Sequence, residues 1–355
     1  MAGTGRAHLR DPGDVVLSVD DLVVEYKAAA GKQVHAVSGM SLDVLRGETL
    51  GLVGESGCGK SSIARAIMML TRPTSGTIQF NGRDLTKIPS GELRRTRRSL
   101  QMIFQNPTSS LNARRTIRRI VAEGLSINRI PKPWDDRIDE ALLAVGLDPS
   151  VVNNRHPREL SGGQCQRVAI ARALVLDPDV VVCDEPVSAL DVSIQAQILN
   201  LLEAMKERYS LTLVFIAHDL VVVKNVSDRV GVMYLGKLCE IAPSDELYTH
   251  PRHPYTQALL SAIPEPDPFV EERPMLATGD LPSPLTPPSG CRFRTRCPRA
   301  QERCAQEEPT IKPVGNDHYV ACHFPIENGS SSSSYHDGEV PVASSAVTSA
   351  ASDTL

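Results

Sequence analysis

The stretch GESGCGKSS, Gly54 to Ser62, sets three glycines and a lysine directly after the apolar run ETLGLV. Gly54, Gly59, Lys60 and Ser61 satisfy the spacing G-x-x-x-x-G-K-[ST]; strand-like VVLSVDDLVV and LGLV precede it and helix-like IARAIMML follows. A strand, a tight loop and a helix in that order point to an α/β layer. Glycines let successive backbone N–H groups turn inward on phosphate oxygens, and the helix N-terminus adds a favourable dipole. Lys60 would neutralise β and γ phosphate charge and Ser61 would offer its hydroxyl to Mg²⁺, two roles that a plain turn does not need. Four fixed positions arise by chance in a chain of 355 residues on the order of 1% of the time, so a second match must carry the weight.

DVVVCDEP, residues 179–186, supplies it. Asp184, at a strand end, can hold the shell of a Mg²⁺ ion, and its neighbour Glu185 can orient or deprotonate an attacking water. Two acids ending a strand are also found on ordinary surfaces, and this segment alone does not separate the readings. Between the two motifs lies LSGGQCQRVAIARAL, Leu160 to Leu174, whose Ser-Gly-Gly turn opens a helix and again presents N–H groups to an anion. One chain therefore carries two anion sites.

Beyond the motifs, 41% of the residues are hydrophobic, enough for a substantial core. Net charge is −4, which argues against a broadly basic nucleic-acid footprint, and the run Arg94, Arg95, Arg97 and Arg98 reads as a solvated helix face. No apolar stretch reaches the roughly 18 residues that cross a bilayer, and the N-terminus lacks the apolar centre of a signal peptide, so the chain reads as cytoplasmic. Short strands are expected from Val15 to about Phe80. A mostly helical lobe follows, containing Trp134 as packing, and then alternating strands and helices that favour a largely parallel sheet. Proline then rises in HPRHPYTQ, IPEPDPF and LPSPLTPPSG, marking an extended appendage, and the serine-rich end reads as disordered.

In order and spacing, GESGCGKS, LSGGQ, DEP, the SALD of Ser188 to Asp191 and the His of IAHD resemble the nucleotide-binding subunits of ABC transporters. The resemblance implies an α/β P-loop fold with an inserted helical lobe, and a head-to-tail dimer sandwiching two ATP molecules. Gly54, Glu55, Ser56, Gly57, Cys58, Gly59, Lys60, Ser61 and Ser62 would bind ATP, with Tyr26 stacking on adenine. Gln105 would sense Mg²⁺ and the γ-phosphate, sharing the ion with Ser61 and Asp184; Glu185 would act on water and His218 would contact the γ-phosphate. Ser161, Gly162, Gly163 and Gln164 would face the partner subunit's ATP, with Asp191 at the interface. Read without the family, Tyr26 is a strand aromatic, His218 a structural histidine, and Cys58 and Cys165 small fillers.

Within that family the chain resembles the ATPases of oligopeptide and dipeptide importers, a group that also includes some nickel and glutathione systems. FQNPTSSLNARRTI, MYLGKLCEIA, HPRHPYTQALLSAIP and GDLPSPLTPPSGCRFRTRCPRAQERC with ACHFP carry it. Asn106 and Ala113 depart from the family's usual FQDP and SLNP, on the surface expected to touch membrane subunits. Implied partners are a second ATPase, two membrane permeases and, indirectly, an extracytoplasmic peptide-binding protein, with the chain peripheral on the cytoplasmic face. The expected division is a flexible 1–14, an ATPase domain over 15–245 with its lobe at about 106–160, a C-terminal region over 246–326, and a disordered 327–355. Cys291, Cys297, Cys304 and Cys322 lie in the C-terminal region; their spacing alone does not decide between zinc, an iron–sulfur cluster and free thiols. The importer group implies a [4Fe–4S] cluster that stabilises an appendage with little core of its own. A soluble ABC ATPase acting on ribosomes or DNA is the reading from another class; tandem cassettes or a long coiled coil would mark it, and neither is present in the sequence.

Overall fold

The computed structural model describes residues 5–11, 13–263, 279–315 and 317–327. PEPDPF, residues 264–269, and the serine-rich tail lie outside the described residues. β1 (Val15–Lys27) and β2 (Gln33–Leu45) form a long antiparallel pair where short strands were expected. The register shifts between Val19 and Leu22, where Asp21 takes φ 47°, so a bulge bends the strand instead of breaking it. β3 (Thr49–Val53) leads through the glycine loop into α1 (Lys60–Ile67). β4 (Ser75–Phe80) and β5 (Arg83–Asp84) then complete a four-stranded antiparallel sheet in the order β2-β1-β4-β5.

α2 (Ser90–Thr96) and β6 (Leu100–Ile103) precede the helical lobe of α3 (Pro107–Ser110), α4 (Ile117–Ile127), α5 (Asp135–Ala144) and α6 (Pro149–Val152). Trp134 packs there, its Nε1 donating to the Ile130 carbonyl at 3.0 Å. The chain returns through α7 (Gly162–Leu174), β7 (Val180–Asp184), α8 (Val192–Tyr209), β8 (Thr212–Ile216), α9 (Leu220–Val226), β9 (Arg229–Tyr234) and β10 (Lys237–Pro243). α10 (Ser244–Thr249), α11 (Pro254–Ser261), α12 (Glu302–Gln306), β11 (Lys312–Gly315) and β12 (His318–Val320) follow. The second sheet runs β11-β12-β10-β9-β3-β8-β7-β6. Its five strands from β9 to β6 are parallel, and β3, β7, β8 and β9 are buried end to end, as β-branched strands covered on both faces must be. α1 lies between the sheets, with Ile63, Ala64 and Ile67 in one core with Leu17 and Val19 of β1, Leu52 of β3 and Val214 of β8.

Three expectations are corrected. The C-terminal region is not an extended appendage with little core: β12 pairs with β10, matching Glu240 to Val320, and Phe293 is buried against Tyr234 and Tyr255. Within the stretch expected to be a flexible N-terminus, the described residues His8 and Arg10 are pinned: His8 is buried and bonded to the Ser41 carbonyl at 2.9 Å, and the Arg10 N–H donates to Asp43 at 2.5 Å. The cause is the buried trio Asp43, Glu48 and Arg229, since buried charges need partners and Arg10 adds a second cation beside Glu48. In the arginine run, Arg94, Arg95 and Arg98 are exposed, but Arg97 turns inward and donates to the Met68 and Met69 carbonyls at 3.1 and 2.9 Å, satisfying the end of α1.

Candidate nucleotide site

The glycine loop is held in a shape that other residues cannot take. Gly54 and Gly59 sit at φ 150° and 108°, and a Cβ on either would meet a carbonyl, that of Met233 at 2.2 Å or that of Ala36 at 2.1 Å. Lys60 is buried, its ammonium donating to the Gly54 carbonyl at 2.6 Å and the Glu55 carbonyl at 3.1 Å. Cys58 packs in the core beneath the loop and Cys165 is buried on α7, as fillers would be.

Ser61 follows at the start of α1, and its hydroxyl donates to Asp184 at 2.9 Å. Burial pushes the Asp184 carboxyl above its usual range, the charge of Glu185 acts in the same direction, and the Ser61 hydrogen bond opposes both. Glu185 takes φ 48°, a left-handed conformation rare for a residue with a side chain, and its N–H donates to Ile216 at 2.9 Å. Its carboxylate accepts from the Gln105 amide at 2.7 Å and lies 3.5 Å from Nδ1 of the mostly exposed His218.

These groups meet in a cleft of about 480 Å³. Ser56, Gly57 and Gly59 to Ser62 line it together with Gln105, Glu185 and His218, and Tyr26, Val34, Ala36 and Pro284 add an apolar wall. Ser161, Gly162, Gly163, Gln164 and Asp191 do not line it. Ser161 and Gln164 form a reciprocal capping box at the start of α7, and Asp191 occupies the N-cap of α8. The two groups are neighbours: Gly162 lies against Leu190, and Gly163 is so close to Ile194 that a Cβ would stand 2.8 Å from it. Val192, beside Asp191, is 82% exposed. Asn106 caps α3, its Oδ1 accepting from the Ser109 N–H at 3.1 Å, as the aspartate of the family pattern could.

Cys291, Cys297, Cys304 and Cys322 line one cavity with His253, Phe293 and Phe324. No group of three or more His, Cys, Asp and Glu among the described residues is placed to hold a single metal ion. Burial pushes the Cys291 thiol up to about 11 and the Cys322 thiol up to about 12, and neighbouring thiolates of the set add to both. The four thus share one cavity and are close enough to feel one another's charge. Sequence reasoning missed Pro284, whose carbonyl accepts from the His35 N–H at 3.0 Å, and Arg296 and Tyr255, which reach Glu55. Only long-range packing reveals them; no local pattern marks them.

Residues 37–188 match the ABC transporter family, and residues 239–304 match the oligopeptide/dipeptide transporter C-terminal region. The chain is 51% identical over 322 residues to the oligopeptide transport ATP-binding protein OppF of Salmonella typhimurium, covering 87% of this chain and 96% of that one. The chain belongs to the ATP-binding proteins of ABC transporters. Another relative of this ABC ATPase is the putative oligopeptide transport ATP-binding protein YkfD of Bacillus subtilis, 49% identical over 314 residues, with coverage of 87% and 95%. Among solved structures, CbiO1 of Clostridium perfringens, part of an ABC transporter complex, overlays with a TM-score of 0.59 at 29% identity, covering 67% of this chain and 92% of that one. The dimeric cassette MJ0796, in a post-hydrolysis state bound to ADP and Pi, overlays with a TM-score of 0.58 at 28% identity, covering 64% and 98%. No helix among the described residues is long and apolar enough to cross a membrane.

Proposed function

We propose that this ATPase powers import of oligopeptides through separate membrane permeases, working as one of a pair of cassettes. The convergence of Lys60, Ser61, Gln105, Glu185 and His218 on one cleft carries the catalytic part of the reading. Lys60 would exchange the Gly54 and Glu55 carbonyls for β and γ phosphate oxygens. Tyr26 would stack on the base. Mg²⁺ suits the Ser61–Asp184 pair, a hydroxyl backed by a buried carboxylate that gains from a nearby cation, with Gln105 sharing it; bound there, it would neutralise phosphate charge. Glu185 would orient or deprotonate the attacking water, with Gln105 and His218 fixing its carboxylate. Ser161 to Gln164 and Asp191, away from the chain's own cleft, would serve the partner's nucleotide. Closure would reach the permeases through the lobe, whose first helix begins two residues after Gln105.

The relatives named for oligopeptide transport favour peptides over nickel or glutathione. Peptide recognition would lie in the permeases and an extracytoplasmic binding protein, with this chain peripheral on the cytoplasmic face. The test is reconstitution in vesicles with permeases and binding protein from the same source. ATP-dependent uptake of a labelled oligopeptide is expected, and uptake of nickel or glutathione alone would overturn the substrate class.

The four cysteines are proposed to hold a [4Fe–4S] cluster, since all four line one cavity and four thiolates are the ligand set such a cluster takes. Bound there, it would cross-link the segments around Cys291–Cys304 to Cys322 beside β12. Protein purified without oxygen should be brown, absorb at about 400 nm and contain iron and sulfide. Colourless, iron-free protein sinks the proposal.

A further inference from the structure

Glu55 is a residue of the glycine loop; its carboxylate does not line the cleft but stands beside it, on the side of the C-terminal region. An uncompensated anion there opposes the multiple negative charges of ATP at close range. The structure supplies a counter-ion from far along the chain. One terminal guanidinium nitrogen of Arg296, between Cys291 and Cys297, stands 2.9 Å from both Glu55 carboxylate oxygens. The Arg296 side chain is 10% exposed and that of Glu55 28%, so bulk water screens the pair only partly. Two further contacts hold the arrangement: the Glu55 N–H donates to the Tyr255 hydroxyl at 2.9 Å, and the Arg296 guanidinium lies over the Tyr234 ring at 5.9 Å. Tyr234, Tyr255 and Phe293 pack edge-on or tilted in one buried aromatic group.

We propose that Arg296 is a positioning residue of the nucleotide site, neutralising Glu55 so that the glycine loop can accept phosphate. This rests on the ATPase reading, and it makes the C-terminal region part of the ATP site as well as a structural annex. The role is electrostatic, so a bystander contact that merely stiffens the fold predicts different results. ATP affinity is measured on the full-length protein by equilibrium titration at low and high salt.

Arg296→Gln is expected to weaken ATP binding about tenfold at low salt, the scale of one partly screened charge, and by less at high salt. Adding Glu55→Gln to that chain should restore most of the loss. Arg296→Lys, which keeps the charge, should stay within about twofold of the parent. If Arg296→Gln alone does not fold, the comparison moves to Glu55→Gln against Glu55→Gln, Arg296→Gln: the single variant, which keeps an unpaired guanidinium beside the loop, should bind ATP more tightly at low salt, and the double variant should stay close to the parent. Unchanged affinity in Arg296→Gln, no rescue by the second replacement, or equal affinity in the last pair at low salt overturns the proposal. Failure of the parent protein to bind ATP would instead refute the ATPase reading.

Discussion

Glu185 shows how one residue can be held out of its relaxed conformation for a purpose. Its left-handed φ of 48° costs on the order of 1–3 kcal/mol, and the Ile216 carbonyl on β8 fixes it there by accepting its N–H. The Glu185 carboxylate meets Gln105 and His218 while that of Asp184 meets Ser61, so the two adjacent acids have different partners. In the proposed role, Glu185→Gln should keep ATP affinity near that of the parent while turnover falls by about 10²–10⁴-fold, because the phosphate cradle survives and the base does not. Lys60→Ala should show the opposite balance, with ATP binding itself weakened. Parallel measurements of equilibrium ATP binding and steady-state phosphate release separate the two; normal turnover in Glu185→Gln removes the assigned role.

At the scale of elements, α11 is anchored by a histidine that has to stay neutral. His253 is 1% exposed, and its Nδ1 accepts from the Tyr255 N–H at 3.0 Å as the cap of the helix, while its backbone N–H donates to Glu240 at 2.9 Å. Burial pushes its pKa down from 6.5 to about 4, with the Glu240 charge opposing. Above about 6.5 the imidazole is neutral in folded and unfolded chains alike, and stability does not depend on it. Below that the unfolded chain takes up a proton that the folded one refuses, so stability falls between pH 6.5 and 4 by up to about 3 kcal/mol. Urea unfolding at pH 7 and pH 5 should show this loss, and His253→Asn, which keeps a capping acceptor but does not titrate, should lose distinctly less. Equal losses in both proteins would contradict it.

Across the whole molecule, what could be read from the sequence was what the chain encodes over short spans. The glycine loop, the DEP strand end and the Ser-Gly-Gly helix start each complete their geometry within about a dozen residues, so residue type and spacing were sufficient. The antiparallel sheet left no such trace, because β1 answers to β4 more than fifty residues later, matching Asp20 to Thr77. The C-terminal region was misjudged for the same reason: its prolines advertise an extended chain, and nothing local announces that Tyr319 will pair with Ile241 or that Pro284 will wall the cleft.

The pairing of Glu55 with Arg296 also bears on time. The two residues stand 241 positions apart, so a ribosome delivers the phosphate loop long before the cation that neutralises it. Until that arginine emerges and β12 docks on β10, the nascent cassette carries an acid in the loop meant for its nucleotide. On the proposed role of Arg296, a chain halted early would have every motif of an ATPase and a weaker hold on ATP, and full affinity would arrive only once that arginine has been made.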